Sequence, residues 1–347
     1  MDFEQGVQDT GLAAVLAANA PAIDAMETAD LAGIRETVIG VQRGLAAAGY
    51  AFAPGPDWPT TLAGSLCLAK ASTSLFLAVQ ATRQCAAVLG PDKGLDLARG
   101  EAIGAVALSE PATDDGSPAT LADGVLKGRK SFVTNGPIAD VVAVIARGGG
   151  GQVACHVLRG QAGVIAGARI SMAGLPGLAV CDLAFDGATV APDVIGETLD
   201  RSYALDADLT LAFACTGLMQ RVLAAAKAHA AGHSRGGRPV LKQQEVGFKL
   251  AEMLTATHAA ELLARRAAWM VSTGKDEAPT LVRCARIFCA EGAERVASAA
   301  MQVAAGEGYV AGSVFERAWR DAKGLAVAGT TLEVARMAVA DDLLARY

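Results

Sequence analysis

Aromatic residues are scarce in this 347-residue chain: Phe, Tyr and Trp make up 5% of it, although 52% of the residues are apolar. Alanine carries the hydrophobicity instead, which suits close-packed helices of high intrinsic propensity. No run of eighteen uncharged apolar residues occurs. The longest candidate, Leu209 to Gln220, is closed by Arg221 and reads as a buried helix, so no membrane span is expected. There is no basic excess either: 30 Lys and Arg against 36 Asp and Glu give a net charge of −6, which argues against nucleic-acid binding. Seven cysteines (Cys67, Cys85, Cys155, Cys181, Cys215, Cys284 and Cys289) include no C-x-x-C pair. Their odd number and apolar surroundings predict buried reduced thiols and a cytoplasmic setting. The acidic start, Met1-Asp-Phe-Glu, is not that of a signal peptide. The four histidines (His156, His229, His233 and His258) stand at no metal-ligand spacing with cysteine or carboxylate, so no metal is expected. G-x-S-x-G, P-loop and H-E-x-x-H motifs are also missing.

What is present falls into three stretches. Residues 7 to about 100 carry apolar residues at helical spacing, as in Gly11 to Asn19, Asp30 to Ile39 and Leu62 to Leu89. A proline-rich break, Ala53 to Pro59, predicts a helix start at Thr60 or Thr61. From Ile103 to about Val194 the period becomes two. Val141–Arg147 and Gln152–Leu158 flank Gly148–Gly151, which reads as a hairpin rather than a phosphate loop because no helix follows. From Leu205 the chain is helical again, with breaks near Gly232, Gly274 and Gly306–Gly308. This order predicts an α+β protein: an N-terminal α-helical domain (1–102), a middle β-barrel domain (103–200) and a C-terminal four-helix bundle (201–347).

Two segments organise the middle stretch. Ala107-Leu-Ser-Glu-Pro111 ends at a proline. Leu126-Lys-Gly-Arg-Lys130, read as a strand with a polar turn, leads into Lys130-Ser-Phe-Val-Thr-Asn-Gly136, which ends at Asn-Gly. In this order they resemble the flavin-facing β-domain of the acyl-CoA dehydrogenase family. The C-terminal stretch adds matches: Gly217-Leu-Met-Gln220, Gly237-Arg-Pro-Val-Leu-Lys-Gln-Gln244, Gln302 to Tyr309, Arg320-Asp-Ala-Lys323 and Gly329 to Arg336. The resemblance runs from about Leu95 to Tyr347 and implies FAD as cofactor and an acyl-CoA as substrate. A carboxylate would take the α-proton while the β-hydride passes to the flavin. By resemblance Leu108, Ser109, Phe132 and Thr134 line the flavin ring. Gln302, Gly306 and Gly308 would touch the diphosphate end of a neighbouring subunit's flavin, with Gln244 as a further cross-subunit contact. That implies a homo- or hetero-oligomer, dimer or tetramer, built through the C-terminal helices.

Three departures stand against the family pattern. The positions where the resemblance puts the catalytic glutamate hold Gly329 or Ala328, depending on the register, and Ala207 for the alternative placement. Asp208, one residue on, is the candidate for a relocated base, raised in pKa by burial. Equally, Asp206 or Asp208 would serve as N-cap of a helix starting near Leu209. The arginine of the diphosphate clamp is His233 here, leaving Arg235 or Arg238 as substitutes, and Ala305 replaces a glycine. After Pro111 comes Ala112-Thr-Asp-Asp115, whose Asp114 would repel a diphosphate. Beside a dehydrogenase, the pattern allows a partner subunit without chemistry of its own, or a flavin oxidase or monooxygenase on the same fold.

Overall fold

The computed structural model describes residues 10–50, 61, 66–90, 94–111, 118–190, 195–197 and 201–346. The expected helix start at Thr60 and the acidic Asp114 lie outside the described residues. The first part is helical: α1 (Thr10–Ala25), α2 (Leu31–Ala47), α3 (Leu66–Ala71), α4 (Thr73–Leu89) and α5 (Leu95–Ala98). Asp30 caps α2 by accepting from Gly33 N at 2.9 Å. Ser72 accepts from Leu75 N at 3.2 Å, so a side-chain cap divides the long apolar stretch into α3 and α4.

Eight strands follow: β1 (Gly104–Ala107), β2 (Thr120–Ala122), β3 (Val125–Thr134), β4 (Val141–Gly148), β5 (Gly151–Leu158), β6 (Val164–Ala166), β7 (Val180–Thr189) and β8 (Ile195–Glu197). They form one sheet in the order β6-β7-β3-β2-β4-β5-β8, with β1 parallel to β4. β1 and β2 occupy the same edge of β4, opposite Val141–Val144 and Arg147 respectively. They are two pieces of a broken strand between β3 and β4, and Leu108–Pro111 falls in the break. Ser131 N still donates to Ser109 O across it, at 2.9 Å. The glycine run makes the expected β4–β5 hairpin, with Gly148 opposite Gly151. The polar turn read at Leu126–Lys130 is not there: those residues continue into Ser131–Thr134 as one ten-residue strand. The pairing with β7 shifts register twice, between Leu126 and Lys127 and again at a bulge between Lys130 and Val133, where Phe132 takes φ +53°. A bulge admits one extra residue and re-aims its side chain. Val133, Val144, Val157, Leu183 and Phe185 fill the apolar core of the sheet.

The rest is helical: α6 (Arg201–Gly232), a short hairpin of β9 (Ser234–Arg235) and β10 (Arg238–Pro239), then α7 (Gln244–Ser272), α8 (Ala278–Gly308), α9 (Val314–Val327) and α10 (Leu332–Arg346). α8 packs against α6, α7, α9 and α10. Its contacts are largely alanine, with Ala285, Ala290, Ala293, Ala297 and Ala300 fully buried. Gly217 shows how close such packing runs: a Cβ there would stand 2.5 Å from the backbone of Ala69, so only glycine lets α3 cross α6. Tyr203–Gly232 is long and apolar enough for a membrane span, yet 72% of its apolar window is buried inside the protein. The architecture is therefore the α+β arrangement expected from the sequence, with helices, a β-sheet region and a helical bundle in that order.

Candidate active site

A cleft of about 1160 Å³ opens where α4, α6 and α9 meet the sheet. Leu108, Ser109, Phe132 and Thr134 all line it. Lys130 fixes this wall. Its side chain is buried, and its Nζ donates to Leu108 O at 2.9 Å and to Glu110 Oε1 at 2.5 Å. Glu110 Oε2 in turn accepts from Ala119 N at 3.2 Å. One ammonium thus ties both sides of the strand break to β3. Asn135, at φ +64°, donates from Nδ2 to Ala78 O and Gly104 O, locking the strand end to α4 and β1. The Phe132 N–H is taken by Asp182 Oδ1 at 3.0 Å, and the residue is 65% exposed. Among the described residues the hydroxyls of Ser109 and Thr134 have no hydrogen-bond partner.

The facing wall comes from α6 and the end of α9. Tyr203, Ala207, Thr210 and Leu211 share one face of α6, at helical spacings of four, seven and eight. Asp208 sits about 100° round the helix from Ala207. It is buried and does not line the cleft. Burial pushes its carboxyl up, while Arg286, Arg283 and a hydrogen bond involving Thr330 pull it back. The relocated-base reading thus meets a side chain that does not line the cleft. The capping reading fails as well, because α6 is already helical at Arg201 and both aspartates are interior. Asp206 instead forms a buried ion pair with Arg83 of α4.

Ala328 and Gly329, the other expected glutamate positions, do line the cleft. Arg286 holds them there. Fully buried, it donates from Nη2 to the carbonyls of Leu325, Ala326 and Ala328 at 2.8, 3.3 and 2.8 Å. A cation at a helix C-terminus is well placed against the dipole. Tyr203, Thr210 and Glu294 also line the cleft and were not singled out from the sequence. Tyr203 was readable as the residue one turn before Ala207. Glu294 gave no signal: it is the only carboxylate among the described lining residues, and Lys323, on another helix, donates to both its oxygens at 3.3 and 3.4 Å. Burial raises the Tyr203 phenol above its ordinary value, with Asp206 adding to the effect.

Arg320 and Asp321 shape the third side. Arg320 donates to Ala173 O, and Asp321 Oδ1 accepts from Leu175 N at 2.5 Å, where Leu175 is held at φ +55°. Burial pushes the Asp321 carboxyl up to about 6, only partly offset by the Leu175 N–H, with Glu27 raising it further. The native state then holds this proton more tightly than the unfolded chain. Stability therefore falls as pH rises from about 3.9 to about 6, by on the order of 3 kcal/mol, and is level above that. Asp321→Asn should keep the acceptor and remove that slope, as read from urea midpoints of the two proteins across this range.

The remaining expected residues lie elsewhere. Arg235 is on β9, Gln244 opens α7, and Gln302, Gly306 and Gly308 are on the last turns of α8. None lines the cleft; Arg235, Gln244 and Gln302 are exposed. They share the end of the bundle where Glu307 meets His233. Ala305, in the place of a glycine, breaks the helix there at φ +52° and ψ −133°.

Known proteins resemble this arrangement. The family model for the acyl-CoA dehydrogenase C-terminal domain matches residues 207–344. The 3-(aryl)acrylate reductase of Clostridium sporogenes is 33% identical over 71% of this chain and 70% of its own length. An acyl-CoA dehydrogenase of Bacillus subtilis is 31% identical over 72% of this chain and 70% of its own. Among solved structures, the FAD complex of PigA superposes with a TM-score of 0.82 at 20% identity, covering all of both chains. On this similarity of sequence, with the same fold, the chain belongs to the acyl-CoA dehydrogenase family.

Proposed function

We propose that the chain is a flavoprotein that binds FAD and acts on the Cα–Cβ bond of an acyl-CoA thioester. The cleft wall carries this reading: an exposed Phe132 and two hydroxyls, Ser109 and Thr134, that have no partner among the described residues, on a rigid strand end. Such a surface fits a flat ring with a polar edge, and the cavity has room for an acyl chain beside it. When bound, FAD supplies the hydride acceptor. The chain supplies the rest. Ser109 and Thr134 offer hydrogen bonds to the ring edge, while Met172, Leu175, Leu178, Leu211 and Val327 make an apolar wall that excludes water. Burial keeps the Tyr203 phenol protonated, so it can donate a hydrogen bond at the cleft. The two relatives carry names for reduction of an acrylate and dehydrogenation of an acyl-CoA, which favours chemistry at one carbon–carbon bond.

The reading extends to an oligomer. Phe248 and Leu262 on α7, and Met337 and Leu344 on α10, are exposed by more than half and suit burial against further copies. In such an assembly the bundle end bearing Arg235, Gln244, Gln302, Gly306 and Gly308 would reach a neighbour's flavin. The buried thiols of Cys85, Cys155, Cys181, Cys215 and Cys289 suit a reducing cytoplasm.

Absorbance of the purified protein, before and after addition of FAD, tests the proposal. The expected result is a bound flavin spectrum that an acyl-CoA bleaches slowly. Thr134→Val should weaken FAD by about 1 kcal/mol, roughly fivefold in Kd. A folded protein that takes up no FAD would end the reading.

A further inference from the structure

The three groups at the bundle end differ from everything in the cleft. His229 and His233 are one turn apart on α6 and at its C-terminal end, with rings stacked 3.9 Å apart. Glu307, two residues past the break at Ala305, brings Oε2 to 3.3 Å from His233 Nε2 and 3.7 Å from His229 Nδ1. One ligand atom from each residue lies within 4.8 Å of the other two. His233 Nδ1 is 2.8 Å from His229 O, a carbonyl that can only accept, so that nitrogen carries the hydrogen. The Nε2 facing Glu307 is therefore a lone pair set against a carboxylate, unless a second proton or a cation stands between them.

We propose that His229, His233 and Glu307 bind one divalent transition-metal ion of the zinc class. Two imidazoles and a carboxylate are a donor set that zinc prefers. Metal–ligand bonds of about 2.0–2.1 Å in tetrahedral geometry separate ligand atoms by about 3.3 Å, close to the two distances seen. The His233 Nδ1–H to carbonyl bond is the outer support that aims a ligating imidazole. His233 and Glu307 are exposed, so an ion and its completing water can enter from solvent. Bound there, the ion offsets the Glu307 charge and leaves a coordination position for an anionic oxygen. This assignment stands apart from the cleft, on the bundle end that also bears Gly306 and Gly308.

The test uses the full-length, tag-free chain and zinc chloride alone. Isothermal titration should show one ion per chain, and cobalt(II) substitution should give the ligand-field bands of a four-coordinate site. His233→Ala and Glu307→Gln should each weaken binding by more than the ~10–100-fold typical of losing an outer-shell partner. His258→Ala, on an exposed position of α7, should leave it unchanged. Melting curves without metal check that the variants fold. Absence of saturable uptake, or equal uptake by the His233 and Glu307 variants, would overturn the assignment.

Discussion

Replacing Ala207 with glutamate is expected to raise the rate at which an acyl-CoA reduces the bound flavin by about 10²–10⁴-fold, the usual worth of a positioned general base. Ala207 lines the cleft on the same α6 face as Tyr203 and Leu211, half-buried. Glutamate is a good helix former, so the backbone should accept it. Partial burial would raise the new carboxyl towards neutrality, the range in which a base works best. Gly329 is the poorer place to try. It holds φ +65°, and a Cβ there would stand 2.9 Å from Leu211 Cδ1. A side chain at that position meets backbone strain and a clash before any chemistry. The wild-type cleft is thus short of a proton acceptor at Ala207, Ala328 and Gly329 alike, while Glu294 is engaged by Lys323. Stopped-flow bleaching of the flavin compares Ala207→Glu with Ala207→Gln, which matches its size without its charge. Equal rates in the two variants would show that proton removal at this face does not limit the reaction.

The parts of this site that could be read from sequence are those written locally. Ala107–Pro111 and Lys130–Gly136 carry alternation and turn residues within a few positions, and both reach the cleft. The Phe132 bulge was not legible, because a register slip depends on β7 as much as on β3. Nor was the role of Lys130, whose partner Glu110 lies twenty residues away across a strand break. The aspartates of α6 misled for a related reason. Asp before an apolar run is the usual sign of a cap, but the helix begins earlier here, and each carboxylate is used by tertiary structure. The histidines show the same limit. His229 and His233 have no acidic neighbour in sequence; Glu307 reaches them only because α6 and α8 end side by side.

Arg83→Met is expected to cost about 3–5 kcal/mol of stability, because it strands a charge rather than because it breaks a contact. Arg83 and Asp206 are both nearly sealed from solvent, with side-chain exposures of 3% and 8%. Arg83 Nε also donates to Gln80 Oε1 at 2.6 Å, and Gln80 Nε2 donates to the Tyr50 hydroxyl at 2.8 Å. This chain of bonds joins α4 to α6 beneath the cleft, beside Tyr203 and Gln80 of its lining. Without the guanidinium, Asp206 must stay ionised in an apolar place or take up a proton, and either state costs more than the pair did. The double change Arg83→Met, Asp206→Leu removes both charges and should recover most of the loss, since apolar replacements of a buried pair are often neutral or stabilising. Urea unfolding with an unchanged slope reads both effects as midpoint shifts. A double variant as weak as the single would show that the loss is not a stranded charge, and a single variant within about 1 kcal/mol of wild type would show that the pair does not bear on stability. In that case the bond chain would have another use: it would set where Tyr203 stands in the cleft, and its loss would appear in flavin reduction rather than in the melt.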